Sequence, residues 1–355
     1  FRCMSFLLTR AFPRLYSGEI RDAAPGIYLI NSNLLSIVKS ALCYNHNRFF
    51  AEGFCMERKS ILVTGGSGFI GRNFSISALD MGARVTVLTR TPDVSRGLLP
   101  AGVSLIRGLT EIDDRDQFDT VVNLAGEPLA DRRWTKARKR LFIDSRINTT
   151  KSILEFFRHR DSRPSLIISG SAVGYYGHSS QPLDERSSGI DGFSHQLCKN
   201  WEASASGFES IGCRVCYLRI GIVLGEAGAL ARMLPAFRLG LGGPIGSGEQ
   251  YMSWVHRDDV IALIHHCMHD SKLKGPINAT APNPVTNREF SQALGTVLSR
   301  PAILRMPSMM VKALFGEMGR ELLLSGQHVF PKVALDSNFV FQHPKLGPAL
   351  RNLLS

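Results

Sequence analysis

The sequence predicts a doubly wound α/β fold, a parallel sheet covered by helices on both faces, with a smaller lobe behind it. Two patterns carry this reading. From Lys59 onward, short apolar runs rich in β-branched residues alternate with longer stretches at helical spacing, and that alternation forces parallel crossovers. The runs are also apolar throughout, as strands buried on both faces are.

Strands are expected at 61–64, 85–88, 120–124, 166–169 and 214–220, with helices between them. After Gly225 the texture changes to a glycine-rich stretch at 239–248, a strand-like 251–255 and a helix from about Asp258. The stretch is too short and mixed for a linker and reads as a loop closing over a ligand. A helix at 306–318 carries four methionines, Met306, Met309, Met310 and Met318, and is expected to be adaptable core. The organisation is therefore an extension (1–57), a sheet domain (58–225) and a second lobe with a C-terminal segment (226–355) that partly returns to the sheet.

Composition narrows the class. The chain has 355 residues, 44% hydrophobic, with 42 Lys+Arg against 30 Asp+Glu. A mean hydropathy of +0.00 excludes a mainly disordered or membrane-embedded chain. The apolar window at 26–43 is broken by Asn31, Ser32, Asn33, Ser36 and Lys39, so no membrane span is expected. Seven scattered cysteines suit free thiols, and Cys213 and Cys216, three apart on a strand, point to opposite faces.

The pI near 9.6 is compatible with nucleic acid, an acidic membrane surface or small anions as partners. Its densest source is 131–140, with six cations against one carboxylate. This reads as a solvated helix face or a positive rim for a phosphate-bearing ligand. No nucleic-acid signature accompanies it, so no nucleic-acid partner is expected.

The opening is leader-like. Residues 4–17 are arginine- and serine-bearing and free of acids, as mitochondrial transit peptides are. Met56, just before the first strand, offers an alternative start and a cytoplasmic location.

The chemistry begins at Gly65-Gly66-Ser67-Gly68-Phe69-Ile70-Gly71, between a buried strand and an amphipathic helix. That context makes the glycines a dinucleotide-binding turn: Gly65 for the tight turn, Gly68 for approach of a pyrophosphate, Gly71 for helix–strand packing. The fold is therefore of Rossmann type and the second lobe its substrate-binding part. At the end of the second strand, where a carboxylate would select NAD(H), the chain has Thr89-Arg90. A cation there pairs with a 2′-phosphate, so NADP(H) is expected over NAD(H), with Arg72 as a second candidate cation.

The glycine turn, Asn123-Leu124-Ala125-Gly126, Ser169 to Gly177, Trp201-Glu202 and Arg219 to Gly225 together resemble an extended short-chain dehydrogenase/reductase. The stretch 237–248, followed by Trp254 to Asp259, resembles more narrowly its atypical branch of epimerase family proteins, the YfcH- or SulA-like sugar-nucleotide-epimerase homologues. The likeness runs from about Lys59 to the end. It implies that Asn123, Leu124, Ala125 and Gly126 line the adenine and ribose side of the cofactor. It also implies that Ser171 bonds a substrate hydroxyl or carbonyl.

Active relatives carry Tyr-x-x-x-Lys as their proton-transfer pair, and this chain lacks it. Counting back from Lys199 puts His195 at the tyrosine position. Counting back from Glu202 puts Ser194 and Cys198 at the two positions. His195 is a candidate acid/base, with Tyr175 a further catalytic candidate and Tyr176 a substrate contact. Arg146, expected beside the cofactor, and Arg219, His256 and Arg257, expected beside substrate, are placed near the strand ends, where they suit a small anionic substrate or make ion pairs with Asp258 or Glu202. His265, His266 and His269 read as a surface helix face, and no metal is expected. Two functions follow: an oxidoreductase or epimerase, or a catalytically silent dinucleotide-binding protein. The lost pair favours the second; Ser171 and the loop at 239–248 favour the first.

Overall fold

The computed structural model describes residues 59–355. The leader-like 4–17, the window 26–43, Met56, Cys3, Cys43 and Cys55 lie outside them.

Seven parallel strands form the main sheet: β1 (Ser60–Thr64), β2 (Arg84–Leu88), β3 (Ser104–Ile106), β4 (Thr120–Asn123), β5 (Leu166–Ala172), β6 (Arg214–Ile220) and β7 (Gly275–Ala279). Their order across the sheet is β7-β6-β5-β4-β1-β2-β3. The strand order reverses between β1 and β4, opening a crevice at their C-terminal ends where ligands bind in such sheets.

Two of these strands, β3 and β7, carry no clear strand signal in the sequence. β3 has only three residues, too few to show a pattern, and β7 contains Gly275 and Pro276. As an edge strand β7 tolerates a residue without an amide donor. The expected strand at 251–255 is two short ones, Tyr251–Met252 and Trp254–His256. Between them the Ser253 hydroxyl donates to the Gln327 carbonyl and accepts from the Val329 amide.

The principal helices are α1 (Phe69–Asp80), α2 (Lys136–Ile143), α3 (Thr149–Arg158), α4 (Phe193–Ser206), α5 (Gly228–Arg238), α6 (Arg257–His269), α7 (Asn287–Leu298), α8 (Ser308–Gly319) and α9 (Leu346–Leu354). One core lies under the sheet, where Leu62, Val121, Ile167 and Val215 meet Ile153, Leu154, Phe157 and Phe208. A second joins Trp254, Phe290, Leu294, Leu346 and Leu350. Asp259 fastens the C-terminal segment: its buried carboxylate accepts the amides of Gln342 and His343 at 2.7 and 3.0 Å.

Two expectations are corrected. The methionine-rich helix is not core along its length, for Met318 is buried while Met309 and Met310 are exposed; its inner face is Val311, Phe315 and Met318. His265 is not on a surface face. It is buried between α6 and α1, with its ring centroid 5.1 Å from that of Phe74 and Nε2 3.0 Å from the Ser77 hydroxyl.

Candidate functional site

The turn after β1 is shaped by missing side chains. Gly65 has φ +67°, and a Cβ there would come within 2.5 Å of the Leu124 carbonyl oxygen. At Gly71 a Cβ would lie 2.3 Å from the Gly65 carbonyl oxygen, so this glycine lets α1 start against the turn. Gly68, at the N-cap, is exposed, and no side chain caps the helix. The first-turn amides and the positive end of the helix dipole are thus presented to the crevice, the arrangement that holds phosphates. Phe69 turns back against Gly225, whose Cβ would lie 2.4 Å from its ring.

Beside the turn, a buried polar chain fixes the end of β4. Thr64 Oγ1 donates to Asn123 Oδ1 at 2.6 Å, Asn123 Nδ2 donates to Thr150 Oγ1 at 2.8 Å, and Thr150 Oγ1 donates to the Arg146 carbonyl at 2.6 Å. Leu124, Ala125 and Gly126 continue from it along the crevice. Arg146 packs under Gly126, donating to the carbonyls of Glu127 and Phe142, with its guanidinium 5.1 Å from the Trp201 ring. Burial lowers its pKa to about 10.

Of the two cations weighed for a 2′-phosphate, Arg72 is paired with Glu226 at 3.3 Å. Arg90 is exposed at the end of β2.

Ser171, on β5, sits in a network built on Glu202 of α4. Glu202 Oε1 accepts Ser171 Oγ at 2.7 Å and Arg219 Nε at 2.9 Å, while Oε2 accepts Arg219 Nη2 at 2.9 Å. The remaining Arg219 nitrogen donates to Tyr176 Oη at 3.0 Å, and Tyr176 donates to Asn278 Oδ1 at 2.7 Å. Burial alone would lower the Arg219 pKa, but the Glu202 carboxylate outweighs it and raises it. Burial pushes Tyr176 up to about 12. Tyr176 is completely buried and braces the network. Tyr175 lays its ring over the Arg219 guanidinium, 3.5 Å from the ring centre.

The structure distinguishes the two registers of α4. A Cβ on Gly174 would meet Ser194 Cβ at 3.3 Å and Cys198 Sγ at 3.8 Å, so Ser194 and Cys198 face the end of β5. His195 points elsewhere. Its Nδ1 donates to the Tyr175 carbonyl, and its ring lies against Gly189. Cys198 stays a neutral thiol, because burial pushes it up to about 11. Ser194 Oγ donates to Glu321 Oε2 at 2.9 Å. Glu321 lies 127 positions from Ser194, and no local sequence pattern marks it.

Arg257 has carboxylate partners in Asp258, at 2.8 Å, and Glu226. His256 is buried and caps α6, its Nδ1 accepting the Asp258 amide at 3.1 Å. Burial, with His343 and Arg257 adding to it, lowers its pKa to about 4. His256, Asp258 and His343 bring ligand atoms within 4.8 Å of one another. The two imidazoles, however, stack with centroids 3.7 Å apart.

The NAD dependent epimerase/dehydratase family matches residues 61–279, and a domain of unknown function, DUF1731, matches 306–353 and so contains Glu321. The Arabidopsis thaliana protein named epimerase family protein SDR39U1 homolog, chloroplastic, is 38% identical over 336 residues, 91% of this chain and 95% of its own. Human epimerase family protein SDR39U1 is 35% identical over 300 residues, 83% of this chain and 99% of its own. The crystal structure of human SDR39U1 isoform 2 with NADPH superposes with a TM-score of 0.74 at 33% identity, covering 83% of this chain and 98% of that one. Bacillus cereus UDP-glucuronic acid 4-epimerase, at 19% identity and a TM-score of 0.66 over 83% of this chain and 97% of that one, shares the fold.

Proposed function

The chain belongs to the NAD dependent epimerase/dehydratase family, and from that premise we propose that it is an NADP(H)-dependent oxidoreductase or epimerase acting on a small anionic, sugar-nucleotide-like substrate. The NADPH in the human SDR39U1 structure supports the cofactor, as do the glycine cradle and Arg90. The turn amides from Gly65 to Gly71 would hold the pyrophosphate, Arg90 the 2′-phosphate, and Asn123 to Gly126 the adenine and ribose side. When bound, the nicotinamide supplies hydride chemistry.

The observation that carries turnover is the Ser194–Glu321 pair in the place of the usual tyrosine. Ser194 gives its proton to Glu321, so its oxygen is left to accept a proton from a substrate hydroxyl while Glu321 takes the serine proton. Ser171 likewise donates to Glu202 and keeps its lone pairs for a substrate hydroxyl. A second reading, nucleotide binding without turnover, is favoured by the neutral thiol of Cys198 where a lysine usually stands.

The test is a titration of the purified full chain with NADPH and NADH by nicotinamide fluorescence, followed by a panel of carbonyl compounds and sugar nucleotides. Tight NADPH binding with consumption that is lost in Glu321→Gln is the expected result. Binding without consumption across the panel would move the reading to a silent binder. In the same assay Arg90→Asp should weaken NADPH by about tenfold or more and leave NADH nearly unchanged, the worth of one charge-assisted phosphate contact. Equal loss for both nucleotides would remove Arg90 from its role.

A further inference from the structure

Large apolar side chains are exposed on one edge of the second lobe. Leu239 and Leu241 stand on the glycine-rich loop, and Ile303, Leu304, Met309, Met310 and Leu314 on the segment that runs into α8; all are between 50 and 80% exposed. Hydrogen bonds join the two segments: the Leu304 and Met306 amides donate to the Gly242 and Pro244 carbonyls at 3.2 and 2.9 Å, and the Gly246 amide donates to the Met306 carbonyl at 2.8 Å. They form one lip. α8 turns Val311, Phe315 and Met318 inward, which leaves Met310 and Leu314, one turn apart, together on the outside. Apolar exposure this concentrated marks an interaction surface.

Its surroundings are cationic. Arg132, Arg133, Lys136 and Arg140 are exposed and make no ion pair among the described residues; nor do Arg305 and Lys312 on the lip itself. The Arg133 guanidinium lies beside Gly316 of α8, where a Cβ would come within 3.2 Å of it, so the basic run and the lip adjoin. The carboxylates nearby are already used: Glu317 by Lys139 at 2.6 Å, Asp131 by Arg232, and Glu321 by Ser194.

We propose that this lip docks on an anionic lipid surface, with Leu239, Leu241, Met309, Met310 and Leu314 entering the interface and the cations of the basic run meeting lipid phosphates. Charge complementarity selects this occupant. A second copy of the chain, itself at +12, would set the same cations face to face. The inference is independent of the turnover reading.

The experiment is co-sedimentation of the full chain with vesicles of phosphatidylcholine alone or mixed equally with phosphatidylglycerol. Binding to the mixed vesicles only is expected, weakening in high salt. The triple variant Met309→Gln, Met310→Gln, Leu314→Gln should weaken binding by at least about tenfold while its Tm and NADPH affinity stay at the parental values. Replacing Arg132, Arg133, Lys136 and Arg140 by Gln should act in the same direction through charge alone. Failure to bind mixed vesicles, or equal binding by the triple variant, overturns the proposal. Concentration-dependent dimerisation of the parent chain that the triple variant abolishes would overturn it in favour of self-association.

Discussion

The crevice has two walls made by opposite means. Around Gly65 to Gly71 the chain forms its surface by leaving side chains out, so that backbone amides and an uncapped helix end are what it offers. Around Ser171 it fills space with charged and hydroxyl groups that satisfy one another: Glu202 holds Ser171 and Arg219, and Arg219 holds Tyr176. A wall of backbone tolerates little change at its glycines and is indifferent to distant residues. A wall of paired side chains depends on every member, because removing one leaves another buried and unpaired.

The largest expected effect tests the second wall. Arg219→Met strands the Glu202 carboxylate in a nearly dry site and should cost about 4 kcal/mol in urea unfolding, while the NADPH dissociation constant of the folded fraction moves by no more than about threefold. A matching loss of NADPH affinity would show that the two walls are one unit. Next, Gly71→Ala drives a Cβ into the Gly65 carbonyl and should cost about 3 kcal/mol, the range of backbone-shifting overpacking, with a loss of NADPH binding in isothermal titration. Parental affinity there would mean the turn relaxes freely.

The smallest effect concerns how α1 is held. Burial lowers the pKa of His265 to about 4, whereas an unfolded chain takes up that proton near 6.5. Stability is therefore full above about pH 6.5 and drains as pH falls towards 4. At pH 5 the loss from this residue is about 2 kcal/mol by proton linkage. His265→Leu should flatten the fall in urea stability between pH 7.5 and 5 by about that amount; an unchanged fall would show that the histidine is protonated without penalty.

The same contrast explains what was legible in the sequence. The glycine turn is written in seven consecutive residues, and the strands that flank it are apolar enough to read directly. β3 and β7 escaped, one for brevity and one because Gly275 and Pro276 are poor strand residues that an edge position excuses. In the second wall, the ion pair of Arg219 with Glu202 could be named only as an alternative, since both residues fit a substrate role as well as each other. Ser194 and Glu321 meet across 127 positions, a pairing that only the folded chain displays. His195 has the chemistry of an acid/base, and the fold turns its ring to the Tyr175 carbonyl and Gly189.

The fastening of the C-terminal segment to Asp259 bears on how the molecule is born. Five strands of the sheet leave the ribosome before β6 is made, yet β7 at the sheet's far edge, the backbone amides that quiet the Asp259 carboxylate, and the α9 side chains that fill the second core are all synthesised late. A nascent chain halted near residue 338 holds the whole sheet but has a buried acid with no donors and an open apolar core. Such a chain is a natural substrate for chaperones and proteases, so quality control can tell a chain that carries residues 339–355 from one that lacks them.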